Sequence, residues 1–281
     1  VHIFADKPPD AAFGAFVARF DPGRRRFRST TDNVARLAFR LGHIAPAAPL
    51  SFELDGQKLE QVPWPAMGGD VFLERKDGAW RLAARPEPSF KGPHRYGPFK
   101  HAFKNRVVLV YGTKGTPEEN AWSFAKARYD AETFWYRGNA SLDVVADTDF
   151  DPSAESDRNV IVYGSADTNA AWAPLLGSSP AQVRRGEVRI GARAFAGNDL
   201  ACLFLRPRPG SDRASVGAVS GSGLAGMRLS DRLPYFVSGV GFPDVIVIGP
   251  ETLTSGPEGV RAAGFFGLDW SVEEGEFAWT S

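Results

Sequence analysis

Little in this 281-residue chain can cross-link or ligate, since it holds one cysteine, Cys202, and four histidines. A single thiol excludes an intramolecular disulfide framework and any zinc site built on several thiolates. No apolar run approaches the roughly 20 residues that span a bilayer, so no membrane partner is expected. The opening VHIFADKPPD lacks a basic segment followed by an apolar stretch, so no export signal is visible. Net charge is missing too: 33 basic residues face 33 acidic ones. What is present is apolar bulk, 43% hydrophobic and 12% aromatic, which excludes a disordered chain. The length suits about two domains.

The neutral total hides an asymmetry. Residues 1–106 carry a surplus of seven positive charges, and residues 107–281 the same surplus of negative ones. The basic run Arg24, Arg25, Arg26 and Arg28 is isolated and has no aromatic stacking partners in a recognisable nucleic-acid motif, so no nucleic-acid partner is expected. It reads instead as a charged strand edge that discourages unwanted pairing.

Up to about residue 90 the pattern is all-β. Short strands are predicted in RRRFRSTT, NVARLAFRL, PLSFELDGQKLEQV, GDVFLERKDG and AWRLAARP. Asp55-Gly56 and Asp77-Gly78 are the dipeptides of tight hairpins. Turn signals at this spacing predict a small β-sandwich over 1–91. Residues 92–105, rich in proline, glycine and basic groups without a sustained period, read as a linker.

From residue 106 strands alternate with helices. RVVLVYG and RNVIVYG are buried-strand runs, each ending in Tyr-Gly followed by a hydroxyl residue. Thr116-Pro117-Glu118-Glu119 predicts a capping box for a helix that stops at Gly138. Its residues 122, 125, 129 and 136 lie near one face and are expected to be buried against the sheet. Asp167 or Thr168 is placed at the start of a second helix, and Gly186 in a hairpin. Together these features predict a three-layer α/β (Rossmann-like) domain with a mostly parallel sheet over 106–281.

Chemical motifs are scarce. No Gly-x-Ser-x-Gly surrounds Ser220 or Ser222, and all four histidines precede the α/β half, the wrong order for an α/β-hydrolase triad. No catalytic residue is assigned. Asp147-x-Asp149-x-Asp151 opens like a calcium loop, but Pro152 and Arg158 stand at the positions that need glycine and glutamate. An irregular metal site at Asp147, Asp149 and Asp151 is the expectation left. No cofactor motif is present: Gly-Thr-Lys-Gly-Thr is not a phosphate loop, and Gly-x-Gly-x-x-Gly is missing. Loops that leave parallel strands for helices are where ligand crevices form. Thr113, Lys114 and Thr116 in the first loop, with Ser165, Asp167, Thr168 and Asn169 in the second, are therefore the candidate ligand-binding residues.

KGPHRYGPFKHAFKNRVVLVYGTKGTPEENAWSFAKARYDAETFWYRG, RNVIVYGSADTNAAW and GEVRIGARAFAGNDLACLFLRPRP resemble the carboxyl-terminal region of large bacterial proteins. Those proteins carry a prolyl oligopeptidase-like α/β-hydrolase domain upstream and are mostly exported. TTDNVARLAFRLG and LSFELDGQKL are similar to the segment joining the two. The resemblance implies a non-catalytic accessory module in an extracellular or periplasmic protein, whose partner is the upstream hydrolase domain of the same polypeptide. An independent binder of a small anionic or carbohydrate ligand, and an autonomous hydrolase with a nonstandard site, are the alternatives.

Overall fold

The computed structural model describes residues 2–4, 15–32, 34–42, 44–46, 48–65 and 69–280. The chain divides into two compact units, Val1–Glu87 and Pro88–Ser281.

The first unit is built from β1 (His2–Phe4), β2 (Ala15–Asp21), β3 (Arg26–Asp32), β4 (Arg36–Arg40), β5 (Leu50–Leu54), β6 (Gln57–Val62), β7 (Asp70–Lys76) and β8 (Ala79–Ala83). They form two four-stranded sheets, β1-β4-β7-β8 and β2-β3-β5-β6. Both Asp-Gly pairs fold hairpins, with Asp55 and Asp77 themselves left-handed, as a two-residue turn requires. Phe27, Phe52 and Leu54 from one sheet share a core with Phe39, Leu73 and Trp80 from the other.

One expectation fails here. The arginine run does not mark a sheet edge, because β3 lies between β2 and β5. Its cations are matched across strands, Arg28 to Glu53 at 3.0 Å and Arg26 to Glu60 at 3.2 Å. Arg25 instead donates to the carbonyls of Ala45 and Ala48 and lies over the Trp64 ring.

The second unit begins with a 3-10 turn, Phe99–Phe103, followed by β9 (Val107–Tyr111), α1 (Pro117–Gly138), β10 (Asp143–Ala146), β11 (Asn159–Tyr163) and α2 (Trp172–Leu176). Next come β12 (Ala181–Arg184), β13 (Glu187–Ile190), β14 (Arg193–Ala196), β15 (Ala201–Pro207), β16 (Ser215–Gly221) and α3 (Leu224–Leu229). The last elements are β17 (Val245–Ile248), α4 (Thr252–Ser255), β18 (Val260–Phe265) and β19 (Glu276–Trp279). An eight-stranded sheet runs β10-β9-β11-β16-β15-β17-β18-β19, and β12-β13-β14 form a separate antiparallel sheet.

The large sheet is mixed rather than mostly parallel. β10, β9, β11 and β16 pair in parallel, whereas every pairing from β16 to β19 is antiparallel. β9 and its parallel neighbour β10 are joined through α1, the kind of crossover parallel pairing needs, whereas β15 and β16 are joined only by the short 208–214 segment, which suits antiparallel neighbours.

Residues 92–105, expected as a linker, belong to the second unit. Phe99 and Ala102 lie fully buried in its core, and Arg95 is buried with them. The helix expected from Asp167 or Thr168 begins only at Trp172, because the Thr168 hydroxyl and Asn169 amide are spent folding the preceding turn. α1 keeps its capping box at Thr116 and Glu119, but its left-handed terminator is Asn139 rather than Gly138.

Candidate functional site

The two Tyr-Gly-hydroxyl loops meet side by side at the carboxyl ends of β9 and β11. Gly112 makes this possible, since a Cβ there would lie 2.4 Å from the Thr168 carbonyl oxygen. The Lys114 N–H donates to that same carbonyl at 3.1 Å. Asn169 donates its amide to the carbonyls of Val110 and Tyr163 at 3.1 and 2.8 Å, stitching the strand ends together. Ser123 of α1 completes the seam, donating to the Tyr163 carbonyl and accepting from the Gly112 N–H.

Each candidate residue has a partner inside this seam or stands outside it. The Thr113 hydroxyl donates to Asp147 at 2.6 Å. Thr116 accepts from the Glu119 N–H as the helix cap. Thr168 accepts from the Ser165 N–H at 2.8 Å, and both side chains are buried. Asp167 accepts from the Arg185 N–H at 2.8 Å. Lys114 is exposed. Glu119, which the sequence marked only as a cap partner, is also buried against Arg185 at 2.5 Å. Burial alone would raise its pKa, yet the Arg185 hydrogen bond and the Thr116 N–H outweigh that and lower it. The β12–β13 turn thus latches both loops. Backbone donors that could meet an anion are turned inward, and the arrangement acts as a joint.

The acidic segment is organised the same way. Asp147 is buried and faces Thr113, whereas Asp149 and Asp151 are exposed, the latter accepting from Ser153. No group of three metal-ligating side chains converges among the described residues. Nearby carbonyls do converge, but on a cation of the protein itself. The buried Arg208 guanidinium donates to the carbonyls of Pro152, Ala154, Glu155 and Arg158 at 2.5–3.0 Å. A guanidinium therefore does for residues 152–158 what a bound ion does for a calcium loop.

A serine–histidine hydrolase needs an imidazole against a hydroxyl. His101 rides on the 3-10 turn, whose carbonyls at Ala102 and Lys104 accept from Asn159, the first residue of β11. Asn159 in turn accepts from the N–H of Ser215, the first residue of β16. His101 is thereby tied to the amino ends of the strands, while Ser165 and Ser220 follow or end them. Five residues of β16 at about 3.3 Å each separate these levels by roughly 16 Å. His94 donates its Nε2–H to the Pro88 carbonyl at 2.8 Å; His43 lies outside the described residues. Ser220 is wholly buried in β16, and Gly221 beside it packs under α3, where a Cβ would reach within 2.1 Å of the Met227 nitrogen.

The least expected feature is α1 itself. Its buried face consists of Glu119, Ser123, Lys126, Ala127 and Asp130. Asp130 is fully buried and accepts from Lys126 at 3.0 Å, from the Tyr163 hydroxyl at 2.9 Å and from the Tyr235 hydroxyl. Burial raises the pKa of both tyrosines, and their hydrogen bonds to Asp130 add to it. Four of the aromatic residues point outward: Phe124 is 45% exposed, Tyr129 and Trp135 are each 62% and Tyr136 is 83%, whereas Trp122 and Phe134 are half-buried against the core. The expectation of a buried face at 122, 125, 129 and 136 thus fails at 125, 129 and 136, which are exposed, and holds in part at Trp122, which packs against the core. A polar ladder from β11 and the 230–236 segment selects the polar side of the helix.

No protein-family profile matches the chain. It is 33% identical over 78 residues, 28% of its length, to an uncharacterized secreted protein of Arthroderma benhamiae. The matched stretch is 8% of that protein, so the chain spans a small part of the curated relative it matches. Among the described residues no helix is long and apolar enough to cross a membrane.

Proposed function

We propose that this chain is the non-catalytic accessory region of an exported prolyl oligopeptidase-like or esterase-like hydrolase, packing on and orienting its catalytic domain. The observation that carries this reading is the inverted α1. A helix that buries Lys126 and Asp130 while exposing Phe124, Tyr129, Trp135 and Tyr136 presents the kind of aromatic patch that marks an interaction surface. Tyrosine and tryptophan suit such a role, offering large rigid area with a polar tip. The internally satisfied strand-end loops and the distance between His101 and the buried serines support a scaffold rather than a bond-breaking centre. The secreted relative, far longer than the stretch it shares, supports a module within a larger exported protein.

The same reading covers architecture. In the first unit, the common core of the two four-stranded sheets supports a small β-sandwich. In the second, Tyr163 meets α1, whereas Phe204, in register with its neighbour Val162 through Ala218, meets Trp172 of α2. Helices on opposite faces of the sheet support a three-layer domain.

Two measurements test the proposal. Incubated with ester and peptide substrates and a fluorophosphonate probe, the purified chain is expected to turn over nothing and to take no label. Mixed with the hydrolase domain of its own polypeptide, it is expected to co-elute, and Tyr129→Ser with Tyr136→Ser to abolish the complex. Labelling of Ser165 or Ser220 would overturn the non-catalytic reading. Failure to associate, or saturable glycan binding on the aromatic face, would overturn the accessory one.

A further inference from the structure

Buried cations in this protein are of two kinds. Lys91 pairs with Asp244, and Lys126 with Asp130, as burial of a charge requires. Arg95 and Arg208, 1% and 2% exposed, and the half-buried Arg206 are different. Among the described residues, no carboxylate lies within ion-pair reach of any of these three guanidiniums, although seventeen ion pairs form elsewhere. Their partners are carbonyl oxygens. Arg95 donates to Ser211 and Ala214 at 2.8 and 2.7 Å, Arg206 to Trp270, and Arg208 to the 152–158 loop. Carbonyls satisfy N–H groups but carry no net charge. The carboxylates that act on the three (Asp212 on Arg95, Asp244 and Asp269 on Arg206, Glu155 on Arg208) stand beyond ion-pair distance, and the Nε atoms of Arg95 and Arg208 remain buried without any hydrogen-bond partner.

All three arginines line one cleft of about 500 Å³. We infer that this cleft binds a small oxyanion, a phosphate or sulfate group, that brings a negative charge closer to these cations than any carboxylate of the protein stands. The rest of the lining fits an oxyanion. The Ser211 oxygen accepts from the Ala214 N–H at 3.0 Å, and the Ser179 oxygen from the Ala181 N–H at 3.1 Å, so each hydroxyl proton is left for another acceptor. Ser178 stands exposed beside them. Asp212 is the only carboxylate in the lining and is exposed, leaving a net positive cleft. Burial pushes the Arg206 pKa down to about 10, still far above neutrality, so its charge persists at physiological pH. Serine hydroxyls and the Arg206 N–H groups not spent on Trp270, at a shallow opening backed by the Arg95 and Arg208 charges, suit a tetrahedral anion better than a neutral sugar. The site uses no residue of α1, so its fate is separate from that of the accessory reading.

The test is calorimetric titration of the intact chain with inorganic phosphate and with inorganic sulfate. Ionic strength is held constant with chloride, so that general screening is removed. One saturable site is expected, weakened about tenfold or more by Arg206→Gln. Because Arg206 also stacks on Phe266, that variant could misfold, and two exposed positions serve independently. Ser178→Asp is expected to abolish binding, and Asp212→Asn to tighten it. Parallel titrations with a sugar phosphate and a sulfated oligosaccharide distinguish the source. Tighter binding of either one assigns the group to a larger ligand, and equal binding assigns the free anion. No saturable heat with phosphate or sulfate, or binding that Ser178→Asp and Asp212→Asn leave unchanged, would sink the inference.

Discussion

At the scale of single residues, the second unit is governed by a few buried polar groups whose titration and removal have opposite consequences. Asp130 holds Lys126 and two tyrosine hydroxyls at once. Asp130→Ala is expected to cost about 3–5 kcal/mol, because it leaves the buried Lys126 ammonium only the longer Asp231 contact at 3.7 Å and takes the acceptor from two buried tyrosine hydroxyls. Lys126→Met combined with Asp130→Leu is expected to cost less than the single change, since neither charge is then left alone. Denaturant unfolding of the three variants measures the difference. His101 acts through protons. Burial, with Lys104, Arg95 and His94 nearby, depresses its pKa from 6.5 to about 4. The unfolded chain therefore binds the proton first. The stability that His101 contributes is complete above pH 6.5 and is lost as pH falls toward 4. Melting temperature should decline over that window, and His101→Phe, which keeps a ring against Tyr96, should flatten the decline. Equal slopes in both proteins would show that other groups set it.

At the scale of elements, α1 shows what a helix sequence discloses and what it withholds. Its start is local chemistry: Thr116, Pro117 and Glu119 form the capping box wherever the helix sits. Its orientation is not local, since the aromatic and polar stripes each have helical spacing and only Tyr163 and Tyr235 decide which is buried. Serine substitutions at Tyr129, Trp135 and Tyr136 are therefore expected to change stability by less than about 0.5 kcal/mol each, as exposed positions do. Cooperative destabilisation in urea, beyond that range, would mean that the aromatic face packs within the chain. The same division runs through the strands and the candidate loops. The Asp-Gly turns and the VVLVYG and NVIVYG runs were legible because turn chemistry and apolar continuity are properties of short segments. The antiparallel second half of the sheet was not, because PDVIVIG reads alike in either direction. The candidate loops do leave the carboxyl ends of parallel strands, as their sequences suggested, but that they meet side by side was not legible. That their hydroxyls serve one another rather than a ligand depends on Asp147, Ser123 and Arg185, which are distant in sequence.

At the scale of the whole molecule, the decisive question is where the second folding unit begins. Composition puts the start at residue 106, after a stretch of proline, glycine and basic residues without period. Packing puts it at Pro88. Lys91 pairs with the fully buried Asp244 and donates to the Phe266 carbonyl. Arg95 ties down the carbonyls that precede β16, and Phe99 and Ala102 fill the core beneath Gly217. The stretch is irregular because each residue answers a different tertiary demand. Removing it leaves the Asp244 carboxylate alone in the interior, a loss of about 3–5 kcal/mol by itself. Losing the buried Phe99 side chain adds roughly 1.5–3 kcal/mol. Against a typical total of about 5–15 kcal/mol, these losses leave little. A fragment spanning 88–281 is therefore expected to unfold cooperatively with dispersed amide resonances. One spanning 106–281 is expected to expose its core, bind a hydrophobic dye and lose the transition. If the shorter fragment melts as sharply as the longer, residues 88–105 are only a tether, and the buried Lys91–Asp244 pair contributes nothing to the fold.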